Sequence, residues 1–205
     1  MRTKLYYIHD PMCSWCWGYK PTWEKLTSEL PNGIQVEYLM GGLAPDNAEP
    51  MPSDMKVMLE QTWRRIEAQL GTSFNYDFWQ LCQPVRTTYP ACRAVIAAEL
   101  QGQGEAIIDA IQHAYYLRAM EPHLIKTHVF LAKELGLNME QYERDLQSDG
   151  VENEFARQLS FCQQLRVRSF PSLILSINDK FYSIEVSYTS AEKTLKDIEH
   201  YLQKV

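Results

Sequence analysis

A chain of 205 residues, 45% hydrophobic and 22% charged, has the composition of an ordinary folded protein, long enough for one large domain or two intertwined small ones. Its 20 basic against 26 acidic side chains give a formal net charge of −6, which argues against nucleic acid as a partner, because polyanion binding calls for a basic excess. No apolar run approaches the ~20 residues of a membrane-spanning helix, and five cysteines are too few for a disulfide scaffold in a chain this long.

The first nine residues, Met1 to His9, hold a short apolar stretch with no small-residue cleavage site after it, so no export signal and a cytoplasmic location are expected. Leu5 to Ile8 reads as a buried strand, broken by Asp10-Pro11. From Ser14 to Leu30 the period becomes helical, with Trp15, Tyr19, Trp23, Leu26 and Leu30 on one face, and Pro31-Asn32-Gly33 ends it. Ile34 to Met40 alternates as a second strand. This strand–helix–strand unit calls for parallel strands.

Gly41 to Pro52 is a loop, and a helical block follows. Ser53–Leu70 is expected to place Met55, Met58, Leu59, Trp63, Ile66 and Leu70 on one face. Further helices are expected over Pro90–Leu100, Glu105–Met120, His128–Leu135 and Asn138–Leu146, the last opening with a capping-box spacing between Asn138 and Gln141. Val151, Phe155, Leu159, Cys162 and Leu165 mark one more amphipathic helix. After Phe170-Pro171 the period reverts. Leu173–Ile177 and Phe181–Val186 flank an Asn178-Asp179 turn, and Ala191–Leu202 closes the chain as a helix. The outer parts together make one small α/β domain, residues 1–43 and 166–205, interrupted by a helical insertion over residues 44–165.

The sharpest motif is Asp10-Pro11-Met12-Cys13-Ser14-Trp15-Cys16-Trp17. The cysteine pair follows a strand and opens a helix. Unpaired N–H groups and the helix dipole at that end favour an anion, so the position should lower the pKa of Cys13 from its usual value. Cys16, one turn on, is close enough to close a disulfide. On this reading Cys13 is exposed and attacks, while Cys16 is more buried and resolves the mixed disulfide. A structural zinc would need four ligands, and no second pair with ligand spacing accompanies this one, so no metal is expected. An inert buried pair is the remaining alternative. The strand–helix setting favours redox chemistry.

Ser169-Phe170-Pro171-Ser172 precedes the hairpin. A proline is tolerated at a strand's first residue. A cis Phe170–Pro171 bond would set the Phe170 backbone against the cysteine pair and leave edge groups for an extended peptide.

Together these motifs resemble the DsbA-like thioredoxin-fold family, in its FrnE-like branch of protein-disulfide isomerases. The resemblance spans the chain and rests on Asp10 to Gly18, Pro21, the helical insertion and Val167 to Ser172. It implies a thioredoxin fold with a helical insertion and a thiol–disulfide oxidoreductase activity, with Cys13 as nucleophile, Cys16 as resolving residue and Pro171 as the cis-proline. The best-known relatives carry Pro-His between the cysteines where this chain carries Ser14-Trp15. The implied partners are protein or small-molecule thiols and disulfides, with no cofactor beyond the redox pair and glutathione as a conceivable co-substrate.

Around the pair, Ser14, Trp15, Phe170, Tyr89 and Cys92 are the expected substrate contacts. Asp10 could take a proton from Cys16, though a turn role before Pro11 is the simpler reading. Cys92 is a candidate auxiliary thiol that could pair with Cys82, and Cys162 falls on an apolar stripe. Arg166 and Arg168 read as solvated surface. Two other functions compete: a glutathione-dependent isomerase or transferase related to 2-hydroxychromene-2-carboxylate isomerase, which would not need Cys16, and a chaperone-like binding module, which would need neither cysteine. Nothing in the pattern specifies an oligomeric state.

Overall fold

The first strand, β1 (Thr3–His9), is buried on both faces because successive side chains point to opposite sides of a sheet that is covered twice. The computed structural model describes residues 2–204; Met1 and Val205, the ends of the expected domain ranges, lie outside the described residues. Leu5 and Tyr7 point toward helix α1 (Ser14–Ser28), where Trp23 stacks on Tyr7 with ring centroids 4.2 Å apart. Tyr6 and Ile8 point the other way, into a cluster with Cys162 and Phe170.

Strand β2 (Ile34–Met40) pairs in parallel with β1, in register from Thr3 with Ile34 to His9 with Met40. β3 (Ser172–Ile177) pairs antiparallel on the other side of β1, and β4 (Lys180–Ile184) follows antiparallel to β3. The order is therefore β2-β1-β3-β4. Asn178 and Asp179 both take positive φ (48° and 65°), the twist a two-residue hairpin requires. The C-terminal helix (Ala191–Leu202) packs beside α1 on the Tyr7 face, with Ile198 fully buried there. This is the thioredoxin fold that the element order and the resemblance predict.

Seven helices stand between β2 and β3: α2 (Ser53–Leu70), α3 (Phe78–Leu81), α4 (Tyr89–Glu99), α5 (Gly104–Tyr116), α6 (Ile125–Glu134), α7 (Met139–Leu146) and α8 (Asp149–Gln164). The C-terminal helix is α9. Fully buried Ala91, Ala94, Ala97 and Ala98 make α4 a slim spine that α5, α6, α7 and α8 can approach closely. α8 joins the two parts, with Phe155 in the helical core and Cys162 against the sheet.

Several expected elements are corrected. The turn α3 escapes a periodicity reading because four residues complete only one turn. α5 stops at Tyr116 rather than Met120: Ala119 takes φ 49° and the Arg118 amide reaches back to the His113 carbonyl, closing the helix. α6 begins at Ile125, three residues before His128. On α2, Met58 is 52% exposed, and only Trp63 and Ile66 are buried, so the expected stripe narrows to its centre. At α7, Asn138 caps the Gln141 amide, but the Asn138 amide is taken by Gln101 rather than by Gln141, so the cap is one-sided.

Candidate active site

β1 feeds the Asp10-Pro11 turn, and the Cys13 amide donates to the Asp10 carbonyl at 3.0 Å as α1 begins. Cys13 holds the N-cap position without a capping bond from its side chain. Its sulfur, not engaged in capping, lies at the end of α1 where backbone N–H groups lack intrahelical partners. Cys16 follows one turn later. Both are free thiols.

The expectation that Cys13 is exposed is corrected: it is 6% exposed, against 0% for Cys16. The cause is the far end of the chain. The Phe170–Pro171 bond is cis, and the Phe170 carbonyl accepts from the Cys13 sulfur at 3.6 Å. Phe170 in turn lies against Gly41, where a Cβ would stand 2.0 Å from the Phe170 ring, so only glycine admits this approach without moving the ring. Burial pushes the Cys16 thiol well above the usual range, and its hydrogen-bonded neighbour Cys13 pushes the same way.

Asp10 is fully buried and does far more than start a turn. Its carboxylate accepts from the Met12 amide (2.8 Å), the Leu43 amide (2.7 Å), the Thr88 hydroxyl (2.5 Å) and the Cys92 thiol (3.7 Å). Thr88 accepts from the Ala44 amide in the same chain of bonds. The carboxylate thus ties the cysteine turn, the loop after β2 and the start of α4 together. Burial raises its pKa, and these hydrogen bonds offset only part of that rise.

The Asp10→Asn variant should fold with a lower denaturant midpoint at unchanged m-value. An amide has one acceptor oxygen and two donors, so its NH2 must face either the Met12 amide or the Leu43 amide and the Thr88 hydroxyl. A loss of about 2 kcal/mol is expected, and an unchanged midpoint would show that the network carries no stability.

The remaining expected contacts divide. Trp15 and Ser14 are half-buried at the site, Trp15 edge-on to Tyr188 at 5.1 Å with the Arg65 guanidinium 5.4 Å from its ring. Trp17 belongs to the helical core, stacked on Tyr116, with its indole N–H donating to the Ser73 carbonyl. Tyr89 is half-buried against Phe155 and beside Gly42, one helical turn from Cys92.

Cys92 is corrected as a substrate contact: it is fully buried, and its sulfur serves Asp10. It is not joined to Cys82, whose sulfur donates to the Ala119 carbonyl at 3.0 Å. Cys162 sits in the core beneath the sheet. Arg166 and Arg168 are exposed, without an ion pair among the described residues. Thr88 and Tyr188 were not expected at the site. Both come from chain segments far from the motif, and only the Thr87-Thr88-Tyr89-Pro90 helix start hinted at the first.

A family model described as thioredoxin matches residues 6–194. The ClpXP adapter protein SpxH of Halalkalibacterium halodurans is 23% identical over 184 residues, covering 83% of this chain and 58% of that one, so the chain spans less than two thirds of the length of the curated relatives it matches. Among solved structures, a protein provisionally described as a disulfide isomerase from Nitrosomonas europaea has a TM-score of 0.88 at 25% identity, covering 100% of this chain and 99% of its own. The cytosolic disulfide reductase DsbM of Pseudomonas aeruginosa, also solved with GSH, has a TM-score of 0.79 at 23% identity, covering 98% of this chain and 100% of its own.

Proposed function

Because the chain belongs to the thioredoxin family and carries the DsbA-like oxidoreductase fold, we propose that it exchanges thiols and disulfides through Cys13 and Cys16. The observation that carries this reading is the placement of the two thiols: adjacent at the start of α1, unequally buried, with the Cys13 sulfur beside the Phe170 backbone.

In the reductive direction, the Cys13 thiolate attacks one sulfur of a substrate disulfide. A mixed disulfide forms, and the first substrate thiolate leaves. Cys16 then loses its proton and attacks the Cys13 sulfur. The Cys13–Cys16 bond forms, the mixed disulfide breaks, and the second substrate thiolate leaves. Two electrons pass to the substrate. The reverse sequence oxidises a dithiol. Trp15 forms an apolar wall beside the pair, and Ser14 and the Phe170 carbonyl offer polar contacts to an approaching chain.

The substrate class is protein or small-molecule disulfides. Glutathione is the proposed small-thiol partner and a cytoplasmic location is the proposed setting, by analogy with the cytosolic disulfide reductase that has been solved with GSH. The adapter role named for SpxH belongs to a longer protein and is not part of this proposal. A glutathione-dependent isomerase would have no use for Cys16, which the chain retains.

The test is equilibration in graded glutathione buffers, followed by thiol alkylation and mass spectrometry at both cysteines. A reversible two-electron transition of the pair supports the reading. A midpoint near about −270 mV marks a reductant, and one near about −120 mV an oxidant. Failure of the two cysteines to join at any poise overturns it.

A further inference from the structure

Behind Cys16, on the side of β1 away from Phe170, lies a cavity of about 100 Å³, room for about three water molecules at their liquid volume. Its inner wall holds Cys16 and His9, both fully buried. His9 is a buried titratable group that lines this cavity with Cys16, and no step above uses it. Neither ring nitrogen has a hydrogen-bond partner among the described residues. Unpaired buried polar atoms are costly, and the cavity that His9 lines is the polar space next to the ring.

The ring is held flat on Tyr7, 4.6 Å between centroids at 9°, and edge-on to Tyr38. The outer wall is charged and reaches solvent. Lys20 bridges Glu24 (2.9 Å) and Asp109 (2.6 Å), while Glu105 accepts from the Tyr38 hydroxyl. The cavity therefore runs from a buried thiol, past an unpaired imidazole, to an exposed acid–base cluster.

We propose that His9 and this cavity form the proton path of Cys16. The inference rests on the dithiol reading above. When Cys16 attacks Cys13, its sulfur contributes an electron pair to the new S–S bond and its proton must leave. Asp10 already receives four donors, three of them on Oδ2, and Cys16 is not among their side chains. The proton instead passes to cavity water and then to the Lys20–Glu24–Asp109 rim, and an equivalent proton reaches the departing substrate thiolate from bulk solvent. A neutral imidazole suits this task because it accepts on one nitrogen and donates from the other without gaining net charge. Burial holds His9 neutral by lowering its pKa to about 3. As a residue acting through water on Cys16, His9 is a positioning residue.

The test separates the two chemical steps. Attack by Cys13 is followed by alkylation, and closure by Cys16 is followed by quenching after the mixed disulfide forms. His9→Phe, which keeps an aromatic ring on Tyr7, should slow closure by about ten- to a hundred-fold. It should leave Cys13 alkylation and the redox midpoint unchanged, because a path changes forward and reverse rates alike. His9→Gln, with a donor and an acceptor, should restore most of the rate. A merely structural role would instead shift alkylation, midpoint and closure together, and that result overturns the proposal, as does unchanged closure in His9→Phe. If His9→Phe does not fold, Gln112→Leu strips a polar group from the cavity wall and decides the same question by the same closure rate. If Cys13 and Cys16 of the unaltered protein never join, the dithiol reading itself has failed and the path falls with it; if they join and the variants close at the normal rate, only the path has failed.

Discussion

Cys13→Ser abolishes disulfide exchange, with an expected loss of about three orders of magnitude or more in turnover, since a hydroxyl near neutral pH is no substitute for a thiolate. Cys16→Ser fails differently. Its Cys13 still attacks, but nothing releases the mixed disulfide, so the protein accumulates as a covalent adduct carrying one half of the substrate. Intact-mass analysis after brief exposure to an excess of a small disulfide such as oxidised glutathione separates the two. The unaltered protein shows loss of two hydrogens, Cys16→Ser shows one added half-substrate, and Cys13→Ser shows neither. The contrast follows from burial: Cys13 keeps a 6% opening while Cys16 has none. An adduct on Cys16 in the Cys13→Ser variant would reverse the assigned roles. Full turnover by Cys16→Ser would replace the dithiol cycle with one that uses Cys13 alone.

Acidification should destabilise the protein steeply below pH 6.5, through two histidines buried in neutral form. Burial lowers His9 to about 3 and His128 to about 4. His128 is fully buried, and its Nε2 donates to the Pro122 carbonyl at 2.8 Å. Both folded-state pKa values lie below the unfolded value of 6.5. The unfolded chain therefore binds more protons through this window, and the histidines' contribution, complete above pH 6.5, is lost as pH falls toward the folded values. Each uncompensated proton costs about 1.4 kcal/mol per pH unit, so the pair removes about 3 kcal/mol per unit between roughly pH 6 and pH 4. Asp10 acts with the opposite sign. Its raised folded pKa is a burden above the unfolded carboxylate range, and acid relieves it.

Denaturant titrations at pH 7, 6, 5 and 4 measure the sum, and His128→Gln isolates one contributor far from the cysteines. That variant should show a pH slope shallower by about 1.4 kcal/mol per unit in this window, whatever its stability at pH 7. An unchanged slope would mean that His128 accepts a proton in the folded state.

Much of the fold was legible because it is written in local period. β2 and α9 fall within their expected limits, since alternation over Ile34–Met40 and helical spacing over Ala191–Leu202 are interrupted at both ends by turn-forming residues or loops. The Asn178-Asp179 turn was legible for the same reason, because its backbone requires positive φ at two neighbouring residues and these types tolerate it. Helix ends in the insertion were less legible. α5 and α6 stop and start where carbonyls and amides find partners in the next segment, which no single window contains. Met58 fits an apolar stripe by spacing yet faces solvent, because a helix buries only the part of its stripe that a neighbour covers.

The amino-acid sequence by itself determined the order of strands and helices along a small α/β domain, the interruption of that domain by helices, and a pair of cysteines one turn apart at a helix start. Those features depend on residue type and on separations of a few positions, which backbone geometry converts directly into structure. Only the tertiary structure decided that Cys13 is covered by Phe170, that Cys92 serves Asp10 rather than a substrate or Cys82, that Asp10 binds three segments together, and that His9 opens on a cavity shared with Cys16. Each of these joins residues from 7 to 157 positions apart. Whether such groups meet is set by how the sheet and the helical block pack over one another, and that packing is the sum of many small contacts with no signature in any local stretch of chain.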